Sequence, residues 1–263
     1  MTRRIPVVAE LAGYRVAVAG LPLSAQAADE AAGAIVVVDG AARWWDAAAG
    51  AIDAGAAAIV AAEPHDVPLD AVAALADLAA EVGEPVVVHR ARLREDLVAL
   101  AVAHREGVPP RVIVAECRAS AGDLAATLRD AVGWMRALAD TDLVVASAAH
   151  TADGGTALLR SSADGRVVGS MLSAVTRPEG SLLRVQALGE TTTEFELDEP
   201  IGRCELTTST ARGRLVAPAV FEAGERASLR RAIDALAEQR MPGDLAALLQ
   251  DAHAASAIAA ART

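Results

Sequence analysis

The stretch "AIVVVDGAARWWDAAAGAIDAGAAAIVAAEP", residues 34–64, has the pattern of a strand, a helix and a second strand. Residues 34–38 and 57–61 are short apolar runs of the kind that form buried strands. Between them, "RWWDAAAGAIDAGA" has a helical pattern that ends at Gly55, because glycine commonly stops a helix. Two strands joined by a helix of this length run parallel in one sheet, so the stretch predicts an α/β fold.

The same alternation continues on both sides of this stretch. Residues 15–19 and 85–88 are predicted strands, and "PLDAVAALADLAAEVG" and "RLREDLVALAVAHREG" are predicted helices. We therefore expect residues 1–110 to form a Rossmann-like domain built on a parallel sheet.

After Pro109-Pro110 the pattern changes from alternation to a succession of strands. "RVIVAECRA" is a predicted strand, "GDLAATLRDAVGWMRALA" is a predicted helix, and most of residues 143–216 then have strand patterns. The pair Asp164-Gly165 indicates a hairpin turn. We expect residues 111–263 to form an α+β domain with a large open, mostly antiparallel sheet, and its C-terminal helices to pack back on the first domain.

Composition narrows the possible functions. The net charge of −11 argues against binding to nucleic acid or to an anionic membrane surface. All 24 basic residues are arginine, as a high-GC bacterial genome would favour, so no lysine is present to carry a proton or form a Schiff base. The two cysteines and five histidines show no metal-ligand spacing. Neither a signal peptide nor a long apolar run is present, so we expect a cytoplasmic protein.

The order of these elements resembles that of the Gfo/Idh/MocA family, the group of glucose–fructose oxidoreductase and inositol dehydrogenase. The blocks that carry the resemblance are the stretch quoted above, "EPVVVHRARLRED", "LRDAVGWMRALA" and the closing "RRAIDAL" and "PGDLAALLQDAHAASAI". The resemblance implies an N-terminal domain that binds a nicotinamide dinucleotide. It also implies an open-sheet domain that binds substrate and pairs subunits.

The chain departs from the family at the dinucleotide-binding loop. The family carries GxGxxG after its first strand, whereas residues 20–25 here are "GLPLSA", with proline near the expected phosphate position. Only residues 20–33 are left for the next helix and strand, and a complete βαβ unit needs roughly 30 residues. We therefore expect a truncated Rossmann-like domain and name no cofactor and no cofactor-binding residue.

A second departure concerns catalysis. The resemblance implies a Glu-Lys-Pro sequence at a strand end, and an Asp and a His on the first helix of the second domain. The corresponding residues here are Ala62-Glu63-Pro64, so that glutamate stands at the lysine position. The aspartate corresponds to Asp130, but the histidine position falls at Gly133 or Trp134, neither of which transfers a proton.

Several polar residues could still line a ligand site, because the carboxyl ends of parallel strands gather ligand-binding side chains. His89 follows a predicted strand, and Glu116 shares a strand face with Arg118 because the two residues are two apart. Arg92 belongs to a basic cluster that could bind an anion. The candidate catalytic residues are His89, Glu63, Glu116 and Asp130, and the candidate ligand-binding residues are Arg92, Arg118 and Trp134. The expected ligand is small and anionic or sugar-like.

Three functional hypotheses follow. The first is a degenerate family member that serves as a structural or regulatory subunit, either in a homo-oligomer formed through the open sheet or in a hetero-oligomer with an active paralogue. The second is an NAD(P)-dependent oxidoreductase that acts on a sugar or cyclitol-like substrate. The third is a cofactor-free acid–base enzyme that uses the retained site.

Overall fold

The computed structural model of the chain describes residues 4–41, 43–176 and 180–261. They form two compact units. One contains the chain up to Ala91 together with Val220–Leu249, and the other contains Arg92–Ala219 together with the residues from Gln250 onward. Residues 92–110, which the sequence pattern assigned to the first domain, lie in the second unit.

The first unit is built on a parallel five-stranded sheet. Its strands are β1 (Ile5–Val8), β2 (Ala25–Ala27), β3 (Ile35–Asp39), β4 (Ala58–Ala62) and β5 (Val86–His89), in the order β2-β1-β3-β4-β5. Its helices are α1 (Ala12–Ala19), α2 (Trp44–Asp53), α3 (Leu69–Val82) and α6 (Gly224–Ala237), and α7 (Asp244–Ala260) begins in it. The predicted Rossmann-like parallel sheet is confirmed.

Helices cover both faces of this sheet. On one face, Tyr14 and Ala17 of α1 pack with Leu229 and Ala232 of α6 against valine and isoleucine side chains of the strands. On the other face, α2 and α3 pack with the start of α7. Every residue of β4 is buried, as expected for a central strand with helices on both sides.

The sequence prediction of the first strand was wrong. Residues 15–19 belong to α1, and the first strand is Ile5–Val8. The run "RVAVA" alternates like a strand, but the buried residues of α1 are Tyr14, Ala17 and Val18, and this i, i+3, i+4 spacing is helical. A five-residue apolar run is compatible with the period of a strand and with that of a helix, and the packing of α1 against α6 decides in favour of the helix.

The predicted glycine loop was wrong for the same reason. Gly20 ends α1, and residues 21–24 lead directly into β2, so the second strand that the spacing excluded is present as three residues at the sheet edge. Residues 28–34 connect β2 to β3 as a loop without a helix. The segment that takes the place of the glycine loop is therefore "VAELAG", residues 8–13, which runs from the last residue of β1 to the second residue of α1.

The second unit is built on an eight-stranded sheet in the order β13-β12-β11-β10-β6-β9-β8-β7. Its strands are β6 (Val112–Ala119), β7 (Leu143–Thr151), β8 (Gly154–Ser161), β9 (Val167–Val175), β10 (Leu182–Leu188), β11 (Thr192–Asp198), β12 (Arg203–Thr210) and β13 (Gly213–Val216), and its helices are α4 (Glu95–Ala103) and α5 (Leu124–Ala139). All described neighbours pair antiparallel except β6 with β9. The predicted large, mostly antiparallel sheet is confirmed.

Helix α5 covers one face of this sheet. Trp134 of α5 is fully buried and stacks on Phe195 of β11 with ring centroids 4.1 Å apart. Ile113, Ala115 and Cys117 point from β6 into the same core. The opposite face carries the alternate residues of each strand.

Candidate active site

A cluster of polar side chains lies at the carboxyl ends of β4 and β5. Glu63 directly follows β4, and its Oε1 accepts a hydrogen bond from the backbone N–H of Ala91 at 2.8 Å. His89 is the last residue of β5, is 8% exposed, and has its Nε2 3.6 Å from Glu63 Oε1. The structure therefore brings together two of the predicted catalytic residues.

Tyr14 and Ser228 complete this cluster, and sequence reasoning missed both. The Tyr14 hydroxyl lies 3.0 Å from His89 Nδ1 and 2.9 Å from Ser228 Oγ, and Ser228 Oγ donates to the carbonyl oxygen of Glu225 at 3.0 Å. The Tyr14 hydroxyl therefore bridges the imidazole of His89 and the hydroxyl of Ser228.

Burial is the largest of the effects on Tyr14. It raises the pKa of the phenol well above its ordinary value, and the nearby carboxylates of Glu63 and Glu225 raise this pKa further. The hydrogen bond with Ser228 acts in the opposite direction and lowers the pKa. Tyr14 is therefore a neutral hydrogen-bonding group at physiological pH.

Two glycines make this arrangement sterically possible. A Cβ on Gly40 would lie 2.2 Å from the carbonyl oxygen of Ala62 and 2.4 Å from the carbonyl carbon of Glu63, so only glycine allows the β3 and β4 ends to approach so closely. A Cβ on Gly224 would lie 2.4 Å from His89 Nε2. The first turn of α6 therefore lies directly against the imidazole ring.

The N-terminal end of α1 lies at the same sheet edge. In the loop "VAELAG", residues 8–13, only the last of the three GxGxxG positions is glycine, and the middle one is the exposed Glu10. Helix α1 has no side-chain cap at Leu11 and no acidic residue in its first turn. A carboxylate from α6 lies there instead, because a Cβ on Gly13 would be 2.6 Å from Glu225 Oε1.

The other predicted residues belong to the second unit. Arg92 Nε donates to Ser181 Oγ at 2.7 Å and lies 3.2 Å from Glu199 Oε1, and Glu199 also accepts from the N–H and hydroxyl of Ser181. This guanidinium is thus already hydrogen-bonded in a structural network. A ligand anion would have to compete with Glu199 for it.

Asp130 and Trp134 lie inside the second unit. Asp130 is 1% exposed, and its Oδ1 is 3.4 Å from Arg129 Nε. Trp134 is fully buried, and its indole N–H donates to the carbonyl oxygen of Arg92 at 2.8 Å. In this conformation neither side chain presents a surface that a ligand could contact.

Glu116 and Arg118 share one face of the sheet, as their spacing predicts, and this face is the one opposite α5. They form an ion pair with each other, and Glu116 also lies 3.3 Å from Arg184 Nη1. Arg184 pairs in turn with Glu196 at 2.8 Å. The two residues are therefore part of a ladder of charges across neighbouring strands.

Two further properties of the described residues concern metal ions and membranes. No group of three or more His, Cys, Asp or Glu residues in the described ranges is arranged to bind a metal ion. None of the helices in these ranges has the length and apolar character needed to cross a bilayer.

Comparison with known proteins shows similarity in fold alone. No protein-family model matches the chain, and no curated protein matches its sequence. Solved structures do match. The UDP-N-acetylglucosamine 3-dehydrogenase GnnA from Acidithiobacillus ferrooxidans has a TM-score of 0.76 at 15% identity, over 98% of this chain and 97% of that chain.

Two further structures extend the comparison. A 3-ketoreductase from Actinomadura kijaniata, in complex with NADP and TDP-benzene, has a TM-score of 0.70 at 15% identity, over 99% of this chain and 98% of that chain. A putative NADPH-dependent oxidoreductase from Desulfitobacterium hafniense has a TM-score of 0.72 at 11% identity, over 98% of this chain and 95% of that chain. The chain therefore shares its fold with these three proteins, whose names describe a dehydrogenase, a ketoreductase and an NADPH-dependent oxidoreductase.

This fold implies a dinucleotide, and the residues present do not fit one. Backbone N–H groups at a glycine-rich helix start normally hold the pyrophosphate. Here Glu10 replaces the glycine that allows close approach, and the Glu225 carboxylate lies against Gly13. An acidic residue thus occupies this loop, and a second carboxylate lies against the first turn of α1.

Proposed function

We propose that this chain is a non-dehydrogenase protein built on an oxidoreductase fold, which serves as a structural or regulatory subunit of an oligomer. The observation that carries this proposal is Glu63. Its carboxylate accepts the Ala91 N–H at the strand end where the resemblance places a lysine, and the chain has no lysine to replace it. A hydrogen-bonded carboxylate at that point is an acceptor, whereas the family reaction uses a cationic donor.

The helix terminus at Gly13 supports the same conclusion from a different part of the site. A dehydrogenase must hold its dinucleotide in order to transfer hydride. The acidic groups at Glu10 and Glu225 oppose that binding.

Titration with NADH and NADPH tests the proposal. By calorimetry and by nucleotide fluorescence we expect no binding to the wild-type chain up to about 1 mM, a limit near −4 kcal/mol. The Actinomadura kijaniata 3-ketoreductase, solved with NADP, is the positive control. A dissociation constant in the low micromolar range, about −8 kcal/mol, would overturn the proposal in favour of an NAD(P)-dependent oxidoreductase with a sugar or cyclitol-like substrate.

A second candidate is cofactor-free acid–base chemistry, and the cluster around His89 favours it. The ring is oriented by its hydrogen bond with Tyr14 and lies near the Glu63 carboxylate. Imidazole and carboxylate together can move a proton near neutral pH.

Native mass spectrometry of the purified protein separates these candidates. A retained second polypeptide supports a hetero-oligomeric subunit, and a retained nucleotide supports a dehydrogenase. A retained sugar-like or anionic molecule supports the acid–base candidate, provided that His89→Gln and Glu63→Gln each lose it while they stay folded.

The proposed assembly is a homo-oligomer formed through the sheet face opposite α5. Val114, Leu158 and Leu172 are exposed on this face. Apolar side chains gathered on one sheet face are commonly covered by a partner. A hetero-oligomer with an active paralogue through the same face is the alternative.

A further inference from the structure

We infer that Glu225 closes the N-terminal end of α1 to phosphate-containing ligands, so that the chain's own carboxylate replaces the pyrophosphate of a dinucleotide. This inference rests on the proposed function, because it gives the physical reason why the fold takes no dinucleotide. It concerns a contact within the first unit, between the first turn of α6 and the first turn of α1.

The start of α1 attracts negative charge, and its own sequence supplies none. The first N–H groups of a helix have no partner within the helix, and the helix dipole is positive at this end. The first helical bond of α1 runs from the Arg15 N–H to the Leu11 carbonyl oxygen at 3.1 Å, so the preceding N–H groups face out of the helix. Leu11 offers no capping oxygen, and the first turn contains no acid.

Glu225 supplies that charge from a distant part of the sequence. Its Oε1, Cδ and Cγ atoms lie 2.6, 3.1 and 3.2 Å from the place of a Cβ on Gly13, so the whole side chain end lies on the glycine. Any other residue at position 13 would displace it. The one glycine that remains of the motif therefore allows the carboxylate to approach.

Hydrogen bonds fix the backbone of Glu225 at the start of α6, and from there its side chain reaches Gly13. Ser228 Oγ donates to the Glu225 backbone carbonyl oxygen, and the Tyr14 hydroxyl of α1 is hydrogen-bonded to Ser228 Oγ. Gly224, the residue before Glu225, lies against the His89 ring. Because Tyr14, His89 and Ser228 are all buried, shifting the first turn of α6 away from α1 would disrupt polar contacts inside the protein.

The charges at this end oppose an incoming phosphate. A pyrophosphate would meet Glu225 at Gly13 and Glu10 in the preceding loop, in a chain with a net charge of −11. Like charges at contact distance repel, and water screens this repulsion only in part.

Inorganic pyrophosphate is the probe that tests the inference. Binding to the wild-type chain, Glu225→Gln and Glu225→Ala is measured by calorimetry and by the amide chemical shifts of Gly13 and Tyr14. Both variants should bind pyrophosphate about tenfold more tightly than wild type, which corresponds to about 1.4 kcal/mol, and the two amides should shift. The matched control is Glu238→Gln, which removes the same charge from an exposed ion pair with Arg240 at the other end of α6.

Each outcome decides the inference. Equal affinities for wild type, control and both variants would overturn it, and so would a gain in affinity without shifts at Gly13 and Tyr14. Glu225→Gln keeps the shape of the side chain, so it remains informative if Glu225→Ala does not fold. If the Glu225 variants do not gain affinity for pyrophosphate, the inference fails, but an absence of NADPH binding by the wild type would still support the proposed function. Tight NADPH binding by the wild type would contradict the proposed function itself.

Discussion

At the scale of single residues, Tyr14, the only tyrosine in the chain, connects the core of the first unit to the candidate site. Its ring belongs to the core between α1 and α6, and its hydroxyl joins His89 to Ser228. A buried hydroxyl with two partners stabilises the fold only while both bonds are made. Tyr14 therefore links the candidate site to the stability of the first unit.

Tyr14→Phe should lower the free energy of unfolding by about 1–2 kcal/mol near neutral pH, because His89 and Ser228 lose their partner. The difference in unfolding free energy between the wild type and the variant should shrink above about pH 10. There the unfolded wild type releases the phenol proton, while burial raises the pKa of the folded Tyr14, so wild-type stability falls as pH rises and the variant lacks this loss. Urea unfolding from about pH 8 to about pH 11 measures both effects.

The tyrosinate absorbance band gives an independent check, because Tyr14 is the only phenol. The band should be absent from the folded protein near pH 10.5, about half a unit above the ordinary tyrosine pKa, and should appear with unfolding. A folded protein that shows the band at that pH would contradict the buried placement.

At the scale of elements, α5 is held against α7 by one glycine and one ion pair. Arg136 Nε of α5 lies 2.7 Å from Oδ1 of Asp251 in α7, and Asp251 is fully buried. A Cβ on Gly133 would lie 2.6 Å from Asp251 Oδ2 and 2.5 Å from Leu93 Cδ2. Gly133, one of the two positions at which the resemblance implies a catalytic histidine, therefore lies in a helix-packing contact.

Gly133→Ala should lower the free energy of unfolding by about 2 kcal/mol, because the methyl group overpacks the contact and displaces Asp251 from Arg136. Alanine is more favourable than glycine in a helix by up to about 1 kcal/mol, and the expected loss of stability already includes this gain. Gly50→Ala in α2 is the matched control, since nothing lies within 4 Å of its Cβ position. The control should be neutral or more stable in urea unfolding, and equal behaviour of the two variants would contradict the close packing.

At the scale of the whole molecule, the sheet face opposite α5 has one charged half and one apolar half. Toward β12 it carries the ladder of Glu116, Arg184, Glu196 and Arg203. Toward β7 it is apolar, and a groove of about 440 Å³ is lined by Val114, Ala148, Leu158, Met171, Leu172 and neighbouring small residues. A second copy could cover the apolar half while the charged half stays hydrated.

We expect light scattering to give about twice the 26.8 kDa mass of one chain at micromolar concentration. Leu158→Glu combined with Leu172→Glu should reduce the mass to that of a single chain, because the interface would have to bury two charges. Val82→Glu, at an equally exposed position in α3, is the control and should keep the wild-type mass. A wild-type mass of one chain would contradict the homo-oligomer and favour the hetero-oligomer.

The sequence alone determined the parallel sheet and the change to a large, mostly antiparallel one. Those predictions held because residues 34–64 repeat a local pattern long enough to define its own period, and because helix stops such as Gly55 and Gly83 are local signals. The positions of Glu63 and His89 at strand ends followed from the same pattern.

Tertiary structure decided what short patterns could not. The run "RVAVA" became helix α1 because Tyr14, Ala17 and Val18 pack against the sheet and α6. The partners Tyr14, Ser228 and Glu225 come from opposite ends of the chain, and no local signal predicts that α6 brings Glu225 onto Gly13. A side chain's neighbours across space depend on how helices pack, and packing depends on the whole fold rather than on the residues beside it in sequence.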